Sequence, residues 1–147
     1  MNRLVVIFFL LSSLSGCATV HKEHFTTPVP VALGNSLAAD AIKQLQALYP
    51  PAQTQFNIGQ SVPKNDSFGS SLVLQMREKG YAVQAYDSTQ PAAVAGLNTH
   101  YTVDKPASSL FRGLYRVQLT VGKATLTRAY TAGNNTAVPA GAWAKME

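Results

Sequence analysis

One cysteine among 147 residues excludes an intramolecular disulfide, so whatever folds here must be held by packing alone. Charge is sparse as well, at 13% of the chain, with seven acids against twelve bases. The acids Glu23, Asp40, Asp66, Glu78, Asp87, Asp104 and Glu147 are scattered singly. They offer no spaced carboxylate pair for acid–base chemistry. Glycine-rich loops of the P-loop or dinucleotide type are missing, and so is any Cys/His metal spacing, which leaves no cofactor and no metal to expect. His21 and His24 flank Glu23, but they sit in a segment without periodicity, and a metal site needs three or four ligands fixed in geometry. His100 falls on the polar side of an alternating run, where a histidine reads as plain surface. Long apolar runs are lacking too. The opening stretch Leu4–Leu11 has eight apolar residues against the roughly 20 that cross a bilayer, so it is no permanent membrane span.

What that stretch does resemble is a secretory leader: Met1-Asn2-Arg3 is a short cationic end, followed by the apolar run and small residues. Leu14-Ser15-Gly16-Cys17 fills every position of a pattern that resembles a bacterial lipobox. The resemblance implies removal of residues 1–16 as a signal peptide and lipid on Cys17. The bland alternative, an idle thiol just past an ordinary leader, leaves an odd cysteine in an oxidising compartment. Several acyl chains hold a domain at a bilayer far more firmly than the reversible binding of one. Ala18, second after the cut, resembles the signal for the inner leaflet of the outer membrane, facing the periplasm.

Removing residues 1–16 leaves 131 residues, enough for one domain with a real core. Loss of Arg3 leaves 11 bases against 7 acids, a net +4 spread too thinly to form a nucleic-acid footprint. Residues 17–36 lack apolar period and read as a lipidated cysteine followed by a flexible tether, with Pro28 and Pro30 stiffening its far end. Its 19 residues after Cys17 span at most about 60 Å.

Residues 37–130 read as the folded domain. Leu37, Ala41, Leu45, Leu48 and Tyr49 form one helical stripe, capped by Asn35 or Ser36, with Asp40 near the first turn and Tyr49-Pro50-Pro51 as the stop. Thr54, Phe56 and Ile58 alternate as a strand. A second helix starts at Asp66 or Ser67, buries Phe68, Leu72 and Met76, and ends at Gly80. Tyr81–Tyr86 follows as a strand parallel to the first. Leu97, Thr99, Tyr101 and Val103 form the inner side of the clearest period-two run. Tyr115–Val121 and Ala124–Tyr130, joined at Gly122-Lys123, complete an antiparallel meander. The order α-β-α-β-β-β-β predicts an α+β domain, two helices on one face of a mixed, mostly antiparallel five-stranded sheet. Residues 131–147 read as an irregular tail.

Arg112, Arg116, Lys123 and Arg128 fall in the final hairpin, and the lone Trp143 follows it near a sheet edge. They are the candidate protein-interaction residues, although a solvated sheet face is the simpler account of the cations.

With the lipobox and tether, the runs "LAADAIKQLQALYPPAQTQF", "FGSSLVLQMREKGYAVQ" and "LTRAYTAG" make residues 1–140 resemble the TrbH family of conjugal-transfer lipoproteins. The resemblance implies a structural part of a type IV secretion (mating-pair-formation) apparatus, with other envelope proteins of that apparatus as partners, the membrane reached through Cys17, oligomerisation open, and no enzymatic activity. An outer-membrane lipoprotein that binds or activates cell-wall machinery is the alternative.

Overall fold

The computed structural model describes residues 27–89, 95–106 and 113–147. Two helices, α1 (Val31–Leu48) and α2 (Ser67–Glu78), lie on one face of a mixed sheet, and a 3-10 turn (Pro51–Gln53) leads out of α1. The strands are β1 (Gln55–Ile58), β2 (Ala82–Gln84), β3 (Leu97–Asp104), β4 (Leu114–Val121), β5 (Ala124–Gly133), β6 (Thr136–Pro139) and β7 (Ala144–Met146). Their order is β2-β1-β3-β4-β5-β6, with β7 pairing β5 beyond β6. β1 is parallel to both β2 and β3, and every other pairing is antiparallel. The α+β class is the one the sequence predicts; the sheet has seven strands among the described residues instead of five.

Burial follows period. Leu37, Ala41, Ile42 and Leu45 of α1 and Phe68, Leu72 and Met76 of α2 close over Phe56, Tyr101, Val103, Val117, Leu119, Leu126 and Tyr130 of the sheet. Each such side chain contributes about 1.5–3 kcal/mol by leaving water. Phe56 is held edge-on between Tyr49 and Tyr81, at centroid distances of 5.9 and 5.0 Å.

Two boundaries differ from expectation, each for a physical reason. The stripe of α1 reaches back to Leu33, so the helix starts at Val31 behind Pro30 and has no side-chain cap. Gly34 and Asn35 resemble a loop, yet Gly34 is there for proximity: a β-carbon would sit 2.4 Å from Ser67 Oγ. Ser36 caps nothing; its Oγ accepts from the Ala137 amide at 3.0 Å. Order begins earlier still, because the Thr27 amide donates to Val103 O at 2.7 Å and Ser67 Oγ donates to Val29 O at 2.8 Å. A tether to residue 36 is therefore too long. From Cys17 to Thr27 the reach is at most about 35 Å.

The tail, expected to be irregular, is a strand broken in two. Asn134 and Asn135 both take positive φ (47° and 61°), the pairing that a tight primed hairpin turn requires, and β6 returns along β5. Between the pairs Tyr130–Pro139 and Thr127–Ala144, two residues of β5 oppose the four residues 140–143. The excess bulges out and carries Trp143 down to the helix side.

Candidate functional site

Directly opposed residues of an antiparallel pair share a face, so the register assigns each side chain to one side of the sheet. Val117 opposes Arg128 and faces the helices; Arg116 opposes Asp104 and Ala129 and faces away. The cations of the hairpin therefore form no single patch among the described residues. Period two within β4 sends Arg116 to the face opposite Val117, and the two-residue turn at Gly122-Lys123 sets Arg128 opposite Val117, so the two arginines lie on opposite faces.

Arg116, exposed on the outer face, grips Asp104 with two hydrogen bonds, Nε to Oδ1 at 3.0 Å and Nη2 to Oδ2 at 2.5 Å. Those bonds, then the charge of Asp104, push the guanidinium above its ordinary value. Lys123 stands exposed in the β4–β5 turn, where Gly122 supplies a φ of 58°. Arg128 points inward, to Asp40 on α1. Arg112, Cys17 and the lipobox residues Leu14, Ser15 and Gly16 lie outside the described residues.

Asp40 was expected to serve the helix dipole, but it lies about two and a half turns into α1 and does something else. Its Oδ2 accepts from Arg128 Nη1 at 2.8 Å, Tyr130 Oη at 2.8 Å and Trp143 Nε1 at 3.2 Å. Arg128 Nε also donates to Gly141 O at 2.7 Å. Trp143, edge-on to Tyr130 at 6.4 Å, is thereby a fastener of the bulge and not a free aromatic anchor. The signal in the sequence was an inward alternation that includes Arg128 between Leu126 and Tyr130, which requires an acid on the covering helix.

Asp66 repeats the device. As the cap of α2 its Oδ1 accepts from the Gly69 amide at 2.9 Å, and its Oδ2 accepts from Tyr101 Oη at 2.7 Å. Burial first, then the hydrogen bond and charge of the facing aspartate, push both Tyr101 and Tyr130 well above the usual phenol range. Both carboxylates are committed to fixing helices onto the sheet. Gln60 adds a third fixture, its side-chain amide pairing with both backbone groups of Tyr101 and so extending β1 where the strand itself has ended.

Among the described residues no helix or strand covers the face of β3, β4, β5 and β7 that is turned away from the helices. One row across the strands runs His100, Thr120, Thr125, Met146; the next runs Thr102, Gln118, Thr127, Ala144. Between β3 and β4 this face has a shallow dent of about 40 Å³, lined by His100, Tyr101, Thr102, Gln118 and Thr120. It is far below the roughly 300 Å³ of a small-molecule pocket. Among the described residues no three His, Cys, Asp or Glu side chains come together as a metal site, and no helix is long and apolar enough to cross a membrane.

These features define a small α+β domain whose inward polar groups fix its helices onto its sheet. A family model described as "Conjugal transfer protein TrbH" matches residues 19–147, which includes every described element, and the chain belongs to that family. Its membership assigns the protein to conjugal transfer. No curated protein and no solved structure matches it.

Proposed function

We propose that this chain is a lipid-anchored structural component of a conjugative type IV secretion apparatus, and that it acts by position without catalysing a reaction. The observation that carries the reading is the family match over residues 19–147, combined with the lipobox Leu14-Ser15-Gly16-Cys17 directly before it. Acylated Cys17 holds the domain in the inner leaflet of the outer membrane, facing the periplasm. Nine residues separate Cys17 from Thr27, whose amide is already bonded to β3, so the fold stands within about 35 Å of the bilayer. Confinement to that layer raises its effective concentration for other envelope proteins of the apparatus. The commitment of Asp40 and Asp66 to structural bonds supports a role without acid–base chemistry.

Mass spectrometry of the protein from its host tests the anchor. The expected species begins at Cys17 and carries acyl chains. An unmodified thiol on a chain that retains its leader overturns the reading.

A further inference from the structure

The chain enters the fold at one end of the sheet. The Thr27 amide donates to Val103 O at 2.7 Å, at the C-terminal end of β3. Both helices start at that end: a β-carbon on Gly34 would meet Ser67 Oγ at 2.4 Å, and Ser67 Oγ donates to Val29 O at 2.8 Å. The same bond lays the entering segment beside the turn that the Asp66 amide closes on Pro63 O at 2.9 Å. Val29 and Leu33 turn into the core, which leaves Val31 outside, 68% exposed. Pro30, Ala32, Pro63 and Lys64 are exposed around it.

This is an apolar edge, stiffened by two prolines, with a lysine in it. Such an edge suits a bilayer surface, where apolar groups leave water while a lysine stem lies along them and its ammonium reaches the phosphates. Lys105, at the end of β3, is a second exposed cation here. The acids at this end, among the described residues, are already taken: Asp66 is buried and accepts from Gly69 and Tyr101, and Asp104 is bonded to Arg116.

The point of entry names the occupant. With Cys17 acylated, the nine residues before Thr27 reach at most about 35 Å from the bilayer. The eight residues of β3 are about 27 Å long, so turning the far end of the sheet to the bilayer lifts Thr27 by most of that reach. Seating the near end uses little of it. We propose that the edge formed by Pro30, Val31, Ala32, Pro63 and Lys64 rests on the bilayer, with anionic phospholipid headgroups receiving Lys64 and Lys105. The Gly122-Lys123 end of the sheet then points away, toward partners. This orientation rests on the acylation of Cys17. Each lysine favours contact with an anionic surface only about fivefold, so the edge orients a domain that the acyl chains already hold.

The full acylated chain in vesicles of phosphatidylethanolamine and phosphatidylglycerol is the test. Acylation blocks the thiol of Cys17, so a cysteine introduced as Asn65→Cys or, at the far end, as Lys123→Cys takes a fluorescent label alone; both positions are exposed. A nitroxide on the lipid headgroups is expected to quench the label at position 65 severalfold more than the label at position 123. Equal quenching, or stronger quenching at position 123, overturns the orientation. Adding Val31→Glu and Lys64→Glu to Asn65→Cys separates contact from the pull of the tether. The first turn of α1 holds no acid, so a glutamate there is compatible with the helix. Quenching at position 65 is expected to fall toward that at position 123, and unchanged quenching overturns the contact. Mass spectrometry of the same preparation keeps the two readings apart. Acyl chains on Cys17 with equal quenching strike the orientation alone, whereas a chain that lacks them and leaves the vesicles strikes the anchor, and the orientation with it.

Discussion

The hydroxyl of Tyr130 on β5 donates to Oδ2 of Asp40 on α1 at 2.8 Å, joining residues ninety positions apart. Arg128 and Trp143 share the same oxygen, so one carboxylate ties the first helix, the longest strand and the end of the chain together. Asp40→Ala leaves a buried hydroxyl, an indole N–H and a guanidinium without their acceptor. The expected cost is about 2–4 kcal/mol, read from denaturant unfolding. Trp143 is the only tryptophan, so its fluorescence reports the same event locally. Its emission is expected to shift red in the variant before global unfolding begins.

Alkaline titration tests the two buried tyrosines. A phenol whose folded value lies above its unfolded value of about 10 favours the protonated native form, and that preference is complete below pH 10. Above it the unfolded chain releases protons that the native chain retains, and stability falls by about 1.4 kcal/mol per pH unit for each tyrosine. Denaturant midpoints are expected to decline above pH 10. Tyr130→Phe is expected to reduce that slope by one tyrosine's share; an unchanged slope contradicts the assignment.

Gly69 owes its place to Tyr101. A β-carbon there would stand 1.8 Å from the Tyr101 hydroxyl and 2.7 Å from Asp66 Oδ2, and neither partner can withdraw without breaking the bond between them. Gly69→Ala is expected to cost at least about 1–3 kcal/mol in thermal or denaturant unfolding, although alanine is the better helix former.

Gln60 acts as a surrogate strand residue. Gln60→Ala removes both bonds to the Tyr101 backbone, with an expected loss of about 1–2 kcal/mol. Hydrogen exchange at the Tyr101 amide is expected to quicken more than at neighbouring amides of β3. By contrast, Asp104→Ala removes an ion pair whose arginine is half exposed, and is expected to cost under about 1 kcal/mol.

How much of this was legible depended on how locally each feature is written. β3 follows from its own alternation, and the Asp66 cap with Gly80 beyond brackets α2 within one segment. The start of α1 was obscured because Gly34 answers to a helix that lies over thirty residues later. β6 and β7 are short, exposed and separated by a bulge, so neither shows an apolar period; their strand character comes from the ladder on β5. The Asn134-Asn135 turn was the one local sign of a hairpin there. Of the candidate interaction residues, Arg128 and Trp143 looked free because composition does not show the acid that meets them. Arg116 alone keeps a place on the open face, paired with Asp104.

The central claim is that the protein works through where it is held, and conjugation frequency of donors carrying Cys17→Ser measures it directly. Provided that the variant is still exported and folded, as Trp143 emission can verify, DNA transfer is expected to fall by orders of magnitude and to return when the wild-type chain is supplied. Transfer at the wild-type frequency from a protein with no lipid on residue 17 would contradict the account.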